Sequence, residues 1–542
     1  MSRAARLLSP VLAALLAVVG VAGCGRDAPA APAPATAHRL DPADLAALLR
    51  DSWVSDGTRG FFIDGAHGTA SPAFSLYDTY WQLRLGGGNG VSAAAVAGWL
   101  NGDLDAGTNT SGLPAIVALD YAVSTLTLLH APVDAGRVRT GLERLRQGGL
   151  YRQDLTAGAP DWGSTAVAVR LLTRLALPVP TEVTAATAAA LAAGRAPTPG
   201  AMVALLETVA DLSAGGPAGP PPPAVGALAR AVEDTLAPAT PDAAWLSAQY
   251  ALRRAAAALH LGVPPIDRTA CAAVVGADAT VRLPGQNSGD PQATFYAREL
   301  GCTGGRTPAV PPHAPAGWPT RAAVDGAPAA SAAALRVADR LGLGGGYRPA
   351  LARQLRDVWL RPGPVASTTA ANLALLAAQL PPGTGAAPPA TVAGTGDDTA
   401  LLVRAIELSA TGDRSGSAKA SFVAAAATPR PGRSMTRAAW LALAGRLFDV
   451  PQLRAEAASE AAQLRIAPGI YAAGRTTATG PAAGSLDASA IGAWIERPPV
   501  DLATRWQGQS WYPAADRMSW RTAAVVLAAQ ERDLTGLFPV SV

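Results

Sequence analysis

A recurring unit, made of a glycine-aromatic segment, a polar loop and a capped helix, constrains the fold of this chain more than any other feature. The clearest copy is Gly149–Leu172, in which Gly149-Leu150-Tyr151 leads through a loop to Asp161 and a helix. Asp161 is a natural N-cap, and apolar residues then return at helical spacing on one face. Related segments follow at intervals of roughly 35–50 residues, the period of a helix pair with its loops. The chain therefore predicts a helical repeat protein.

The composition supports helices over sheets. Hydrophobic residues make up 49% of the chain but aromatic residues only 5%, and Ala, Leu and Val dominate. Small side chains let helices approach closely, and Ala has the best helix propensity. Alternating β-branched and aromatic runs are scarce, which argues against a β-sandwich or barrel. We predict an all-α fold.

The repeated units resemble those of the α/α-toroid superfamily that includes squalene cyclases and prenyltransferases. The resemblance implies an α/α-toroid (α/α barrel), and a helical-pair solenoid in two lobes is the alternative. It does not carry the catalytic motif of the cyclases, because Asp103-Leu104-Asp105 and Asp397-Asp398 both lack the complete Asp-x-Asp-Asp sequence. The copies that carry the resemblance are Gly60-Phe61-Phe62 with Asp78, Gly149-Leu150-Tyr151 with Asp161-Trp162, Gly469-Ile470-Tyr471 with Asp487, and Trp511-Tyr512 with Asp516.

The N-terminus resembles a bacterial lipoprotein signal peptide. Two arginines precede an apolar run that is too short for a comfortable membrane span, and the run ends in Val21-Ala22-Gly23-Cys24. We expect residues 1–23 to be removed, Cys24 to be lipidated, and the Ala/Pro-rich residues 24–39 to act as a tether. An ordinary secretory signal with a chance cysteine is the alternative. The prediction is a protein anchored by lipid at the extracytoplasmic face of a bacterial membrane.

The charges give no sign of a nucleic-acid partner. The chain has 44 Lys and Arg residues, and the mature chain would keep 42 of them against 40 acidic residues. The arginines are scattered and form no basic stripe with aromatic residues. Arginine replaces lysine almost throughout, which is typical of a high-GC genome such as that of an actinobacterium.

Two further cysteines, Cys271 and Cys302, predict one disulfide in an exported protein. The rival interpretation is a zinc site that uses Asp267, Cys271 and His313, distantly similar to that of protein prenyltransferases. That family's Asp-x-Cys arrangement is missing here, so we predict the disulfide, no metal and no cofactor.

Acids and aromatic residues near the helix starts are the candidate site residues. Asp78, Asp161 and His67 are the candidates for catalysis, although capping is the favoured interpretation of the two acids. Tyr77, Tyr80, Trp81 and Trp162 are the candidates for ligand binding, with core packing as the alternative for the first three. No nucleophile elbow, P-loop or metal motif accompanies them.

These observations predict an N-terminal α/α repeat lobe over residues 40–305 and a C-terminal one over 325–542. We expect a binding or scaffold module of the cell envelope for a hydrophobic, glycan or protein ligand. The alternative is a terpene-cyclase-like or carbohydrate-active enzyme that uses Asp78 and Asp161 as acid and base.

Overall fold

The computed structural model describes residues 41–531, with gaps at 65–72, 106–110, 156–157, 195–197, 215–222, 238, 285–288, 309, 361–364, 382, 385–389, 392–396, 430–431, 476–483, 508 and 510–518. The described residues form 22 α-helices and ten strands of two or three residues each. Each strand belongs to a two-stranded sheet. The all-α prediction is confirmed.

The chain divides into two compact units. Phe74–Thr320 forms one unit, and Met1–Ala73 forms the other together with Arg321–Val542. We call the first the inserted unit, because it interrupts the second in sequence, and the second the flanking unit. The sequence-based lobes at 40–305 and 325–542 divide the chain differently. Residues 41–73 belong with the flanking unit, where the amide of Phe62 donates to the buried Ser331 hydroxyl at 2.9 Å.

In the inserted unit, helices that contact one another in a cycle, which we call its inner helices, alternate along the chain with other helices. Its inner helices are α2 (Leu76–Arg84), α4 (Ala115–Leu128), α6 (Trp162–Arg174), α8 (Pro199–Ser213), α10 (Ala243–Ala258) and α12 (Pro291–Glu299). Its remaining elements are α3 (Ala93–Asp105), α5 (Ala135–Leu145), β3 (Arg146–Gln147), β4 (Leu150–Tyr151), α7 (Thr181–Ala193), α9 (Pro223–Leu236) and α11 (Arg268–Ala272).

The inner helices of the inserted unit contact one another in cyclic order. Each packs against the next in the series α2, α4, α6, α8, α10 and α12, and α12 packs against α2 again. We call these six helices the inner ring. The toroid arrangement stays a prediction, and this cyclic order agrees with it.

The flanking unit has a cyclic order of its own. Its inner helices are α13 (Arg321–Arg340), α15 (Ser367–Ala377), α16 (Asp398–Thr411), α18 (Met435–Leu447), α20 (Leu486–Glu496) and α22 (Trp520–Gln530), and α22 packs against α13. Its other helices are α1 (Pro42–Asp51), α14 (Gly344–Gln354), which continues into a π-helical turn at Leu355–Trp359, α17 (Gly416–Ala427), α19 (Pro451–Leu464) and α21 (Leu502–Gln507). Its strands are β1 (Trp53–Ser55), β2 (Gly60–Phe62), β5 (Val365–Ala366), β6 (Ala390–Thr391), β7 (Arg433–Ser434), β8 (Arg465–Ala467), β9 (Ile470–Tyr471) and β10 (Gly474–Arg475).

A buried hydroxyl four residues after the cap explains how several repeats hold together. In the Gly149 copy, the cap Asp161 donates its amide to the carbonyl of Tyr151 at 2.9 Å. The amide of Tyr151 in turn donates to the hydroxyl of Thr165 at 3.0 Å. The same pattern joins Val281 to Asp290 and Thr294, and Tyr471 to Ser485 and Ser489. In each copy, this hydroxyl thus connects the extended segment before the loop to the helix that follows the loop.

The glycine of this unit is required by close packing. A Cβ added to Gly149 would lie 2.6 Å from the carbonyl oxygen of Glu182 on α7. Only glycine lets β4 approach that helix so closely.

The predicted disulfide is present in the inserted unit. Cys271 on α11 is bonded to Cys302, just beyond α12, with a Cα separation of 5.2 Å. The rival zinc site is wrong, because Cys271 is committed to this bond. Asp267 instead caps α11, and His313 stacks on Trp318 and makes a hydrogen bond with the Asn89 carbonyl.

Among the residues that the structure describes, no helix is both long enough and apolar enough to cross a membrane.

Candidate functional site

Aromatic and polar side chains of α2, α10 and α12 contact one another in the inserted unit. Tyr77 and Asp290 meet near the starts of α2 and α12, and Trp81 meets Phe295 one turn further along both helices, so α2 and α12 run in the same direction. Arg84 on α2 reaches Tyr250 on α10, although α12 lies between these two helices in the ring.

Five buried aromatic side chains from α2, α4 and α12 pack against one another. Tyr80 stacks on Tyr121 with ring centroids 4.7 Å apart, and Trp81 lies edge-on to Tyr296 at 5.2 Å. Phe295 packs beside Trp81 at 5.4 Å. All five side chains are buried. Tyr80 and Trp81, predicted as ligand-binding candidates, therefore occupy the core of the ring.

A row of polar side chains runs along this aromatic core, and most of its members are half-buried. We call Tyr77, Gln292, Tyr296, Tyr250 and Arg84 the tyrosine row. The side-chain amide of Gln292 bridges two tyrosines. Its oxygen accepts the hydroxyl of Tyr77 at 3.3 Å, and its nitrogen donates to the hydroxyl of Tyr296 at 3.0 Å. Tyr296 stacks on Tyr250 with centroids 4.8 Å apart, and Arg84 donates to the Tyr250 hydroxyl at 3.4 Å. The row spans about 10 Å along α2, from the rise of its seven residues.

Burial keeps the hydroxyls of Tyr77 and Tyr296 protonated. Burial raises the pKa of Tyr296 to about 12, with hydrogen bonds from Gln292 and Ser247 opposing the shift. The pKa of Tyr77 is also raised, first by burial and then by the neighbouring Asp290 carboxylate, which accepts its hydroxyl at 2.8 Å. At neutral pH these groups are hydrogen-bonding phenols and neither bases nor nucleophiles.

A second polar cluster in the ring is balanced in charge. Arg170 lies at its centre and donates to Glu207 at 3.1 Å, with Asp120 and Asp211 within 3.7 Å. Its members are Arg170, Arg174 and Arg254, with Asp120, Glu207 and Asp211, so three positive charges face three negative ones. The cluster joins α4, α6, α8 and α10 and needs no ligand for neutrality.

The acids predicted as candidates for catalysis lie on separate helices. Asp161 accepts hydrogen bonds from the amide and hydroxyl of Ser164, both at 2.8 Å, and so caps α6. Asp78 is half-buried in the first turn of α2, where its amide donates to the cap Ser75. Because α4 lies between α2 and α6, the structure does not join these acids as a pair on adjacent helices. Trp162 is half-buried as the first residue of α6.

His67, Cys24 and Asp516, which the sequence analysis selected, lie outside the described residues.

In the flanking unit, two acids with raised pKa lie close to one arginine. Arg521 contacts Asp487 at 3.1 Å, and Asp64 accepts the amide of Trp520, the residue before Arg521, at 2.7 Å. Burial raises the pKa of both acids, and the charge of Arg521 opposes the shift. Asp64 is nonetheless accessible to solvent.

Sequence reasoning missed the polar partners in the tyrosine row. Arg84 follows Tyr77 by seven residues and so lies on the same helix face, a spacing that can be read from the sequence. Its meeting with Tyr250 depends on the ring and has no local signal.

Within the described part of the chain, no group of histidine, cysteine and acidic side chains is arranged to hold a metal ion. The comparisons with known proteins add no relative: no family model, curated protein or solved structure matches this chain.

Proposed function

We propose that this protein is a lipid-anchored, extracytoplasmic binding module whose inserted unit takes a glycan along the tyrosine row. The observation that carries the proposal is the row itself, in which phenol hydroxyls, an amide and a guanidinium follow one another over aromatic rings. Sugars offer hydroxyls to such polar groups and apolar faces to aromatic rings, so this combination favours a glycan over an apolar ligand.

The tyrosine row also argues against terpene-cyclase chemistry in the inserted unit. Such a reaction needs aromatic faces that stabilise a carbocation. Here the guanidinium of Arg84 already lies over Phe295, 4.2 Å from the ring centroid. A second positive charge beside it would be repelled.

A glycan array tests the proposal, with the mature protein as probe. Wild-type protein should bind a defined set of glycans, and Gln292→Ala should weaken that binding about tenfold, because the amide that joins two tyrosines is lost. Gln463→Ala is the matched control, since Gln463 is exposed in the flanking unit and bonds only Ser459 there. An array without specific binding, or equal loss in both variants, would refute the glycan proposal.

The proposed location draws on two features. Cys24 closes a lipobox-like sequence, and the disulfide between Cys271 and Cys302 is typical of exported proteins. Labelling with a fatty-acid analogue should mark wild-type protein and the Cys271→Ala/Cys302→Ala variant, but leave Cys24→Ala unlabelled. Equal labelling of Cys24→Ala would rule out the anchor.

A carbohydrate-active enzyme is the second candidate, and the acids near Arg521 favour it. Cleavage of a glycoside requires a carboxyl group with a raised pKa as the acid and a second carboxyl group near it as base or nucleophile, and Asp64 and Asp487 both lie near Arg521. Incubation with the array's best glycan should then release reducing ends, and Asp64→Asn or Asp487→Asn should lower the rate at least about 100-fold. If wild-type protein releases none, this candidate is excluded.

A further inference from the structure

Arg84 has no acidic partner among the described residues, unlike Arg170, Arg254 and Arg298 of the same unit. Its guanidinium donates to the hydroxyls of Tyr80 at 2.9 Å and Tyr250 at 3.4 Å and lies over Phe295. A guanidinium carries five N–H donors, so three have no acceptor in the described part of the chain. The side chain is half-buried and reaches solvent.

The surrounding charges leave that positive charge uncompensated. The arginines of the balanced cluster face an equal number of acids, as described above. Arg298, one ring position away, donates to the carbonyls of Leu85 and Arg84 and to Glu299. Among the described residues, the guanidinium of Arg84 instead contacts two tyrosine hydroxyls and an aromatic face, and a half-buried cation in such surroundings favours an anionic ligand.

We propose that Arg84 binds the carboxylate of an acidic glycan, such as a uronic acid, that lies along the tyrosine row. The inference rests on the proposed glycan-binding function and specifies its ligand class. The sugar rings would contact the tyrosines and Gln292, and the carboxylate would accept hydrogen bonds from the unused N–H groups.

Charge selects a carboxylate over a phosphate at this position. A carboxylate carries a single negative charge and matches the one uncompensated guanidinium. A phosphate monoester carries up to two at neutral pH, and the second would stay unpaired because Arg298 and the arginines of the balanced cluster already have acidic partners. The planar fork of arginine also suits a carboxylate in a bidentate arrangement.

Calorimetric titration of the full mature protein with glucose, glucuronate and glucose 6-phosphate tests this assignment. We expect glucuronate to bind at least about tenfold more tightly than glucose, and more tightly than glucose 6-phosphate. Arg84→Met replaces the aliphatic part of the side chain and removes the guanidinium with its charge, and it should abolish the advantage of glucuronate. Arg282→Met is the matched control, since Arg282 pairs with Asp278 at the surface, and the advantage should persist in it.

A second measurement needs no variant and so does not depend on how Arg84→Met folds. Phenylglyoxal modifies accessible arginines, and peptide mass spectrometry reports the rate at each. Glucuronate should slow the modification of Arg84 at least about threefold and leave Arg282 unaffected.

Equal binding of glucuronate and glucose, tighter binding of glucose 6-phosphate, or no protection of Arg84 would each overturn the carboxylate assignment. If wild-type protein binds glycans of the array and Arg84→Met binds them with the same affinity, the carboxylate assignment fails while the glycan-binding function stands.

Discussion

The hydroxyl of Thr165 should be worth about 2 kcal/mol to the stability of the inserted unit. Thr165 and Tyr151 are both fully buried, and the Tyr151 amide donates to the Thr165 hydroxyl. Thr165→Val keeps the shape of the side chain but leaves that amide without an acceptor, which costs about 1–3 kcal/mol in a buried site. The Asp161 carbonyl, which accepts the same hydroxyl at 2.7 Å, keeps its helical hydrogen bond from the Thr165 amide.

Hydrogen exchange of the Tyr151 amide measures this effect directly. A loss of about 2 kcal/mol should speed exchange about 30-fold, since 1.4 kcal/mol corresponds to a factor of ten. Thr165→Ser keeps the hydroxyl and should stay closer to wild type. Thr140→Val is the surface control, because Thr140 is exposed and its hydroxyl bonds only the carbonyl one turn earlier. Unchanged exchange in Thr165→Val, or an equal increase in Thr165→Ser, would refute the role given to the hydroxyl.

Three further outcomes follow from the same structure. Reduction of Cys271–Cys302, which are 31 residues apart, should lower the free energy of unfolding by about 3 kcal/mol, and urea unfolding with and without reductant measures it. The pKa of Tyr296 is raised to about 12 from an ordinary value near 10, so the folded state favours the protonated phenol. The resulting stabilisation is complete below about pH 10 and is lost as the pH rises towards 12, which tyrosinate absorbance together with circular dichroism should detect. Arg254→Met removes a positive charge beside the half-buried acids Glu207 and Asp211, so it should lower the free energy of unfolding in urea by about 1–3 kcal/mol. Arg282→Met, at an exposed ion pair, should lower it by less than about 1 kcal/mol.

Local sequence predicts the helices and their caps well, because capping is decided within four residues. Asp161 caps α6 and Asp290 caps α12 as their positions suggest. Helical periodicity and small side chains likewise lead to the all-α fold.

Contacts between distant segments could not be predicted in this way. α12 meets α2 across more than 200 residues, and that meeting brings Tyr77 to Asp290. The place of residues 41–73 in the flanking unit depends on a bond from Phe62 to Ser331, 269 residues away. From the local sequence alone, Arg84 is an ordinary cation in the last turn of a helix, a position in which the helix dipole favours a positive charge. Its lack of an acidic partner becomes visible only in the folded chain.

Hydrogen exchange of the full mature protein, with and without an acidic glycan from the array, tests the central claim most directly. If the ligand lies along the tyrosine row, protection should be confined to α2, α10 and α12 of the inserted unit. Protection around Asp64, Asp487 and Arg521 in the flanking unit would contradict the proposed site and support the enzyme candidate.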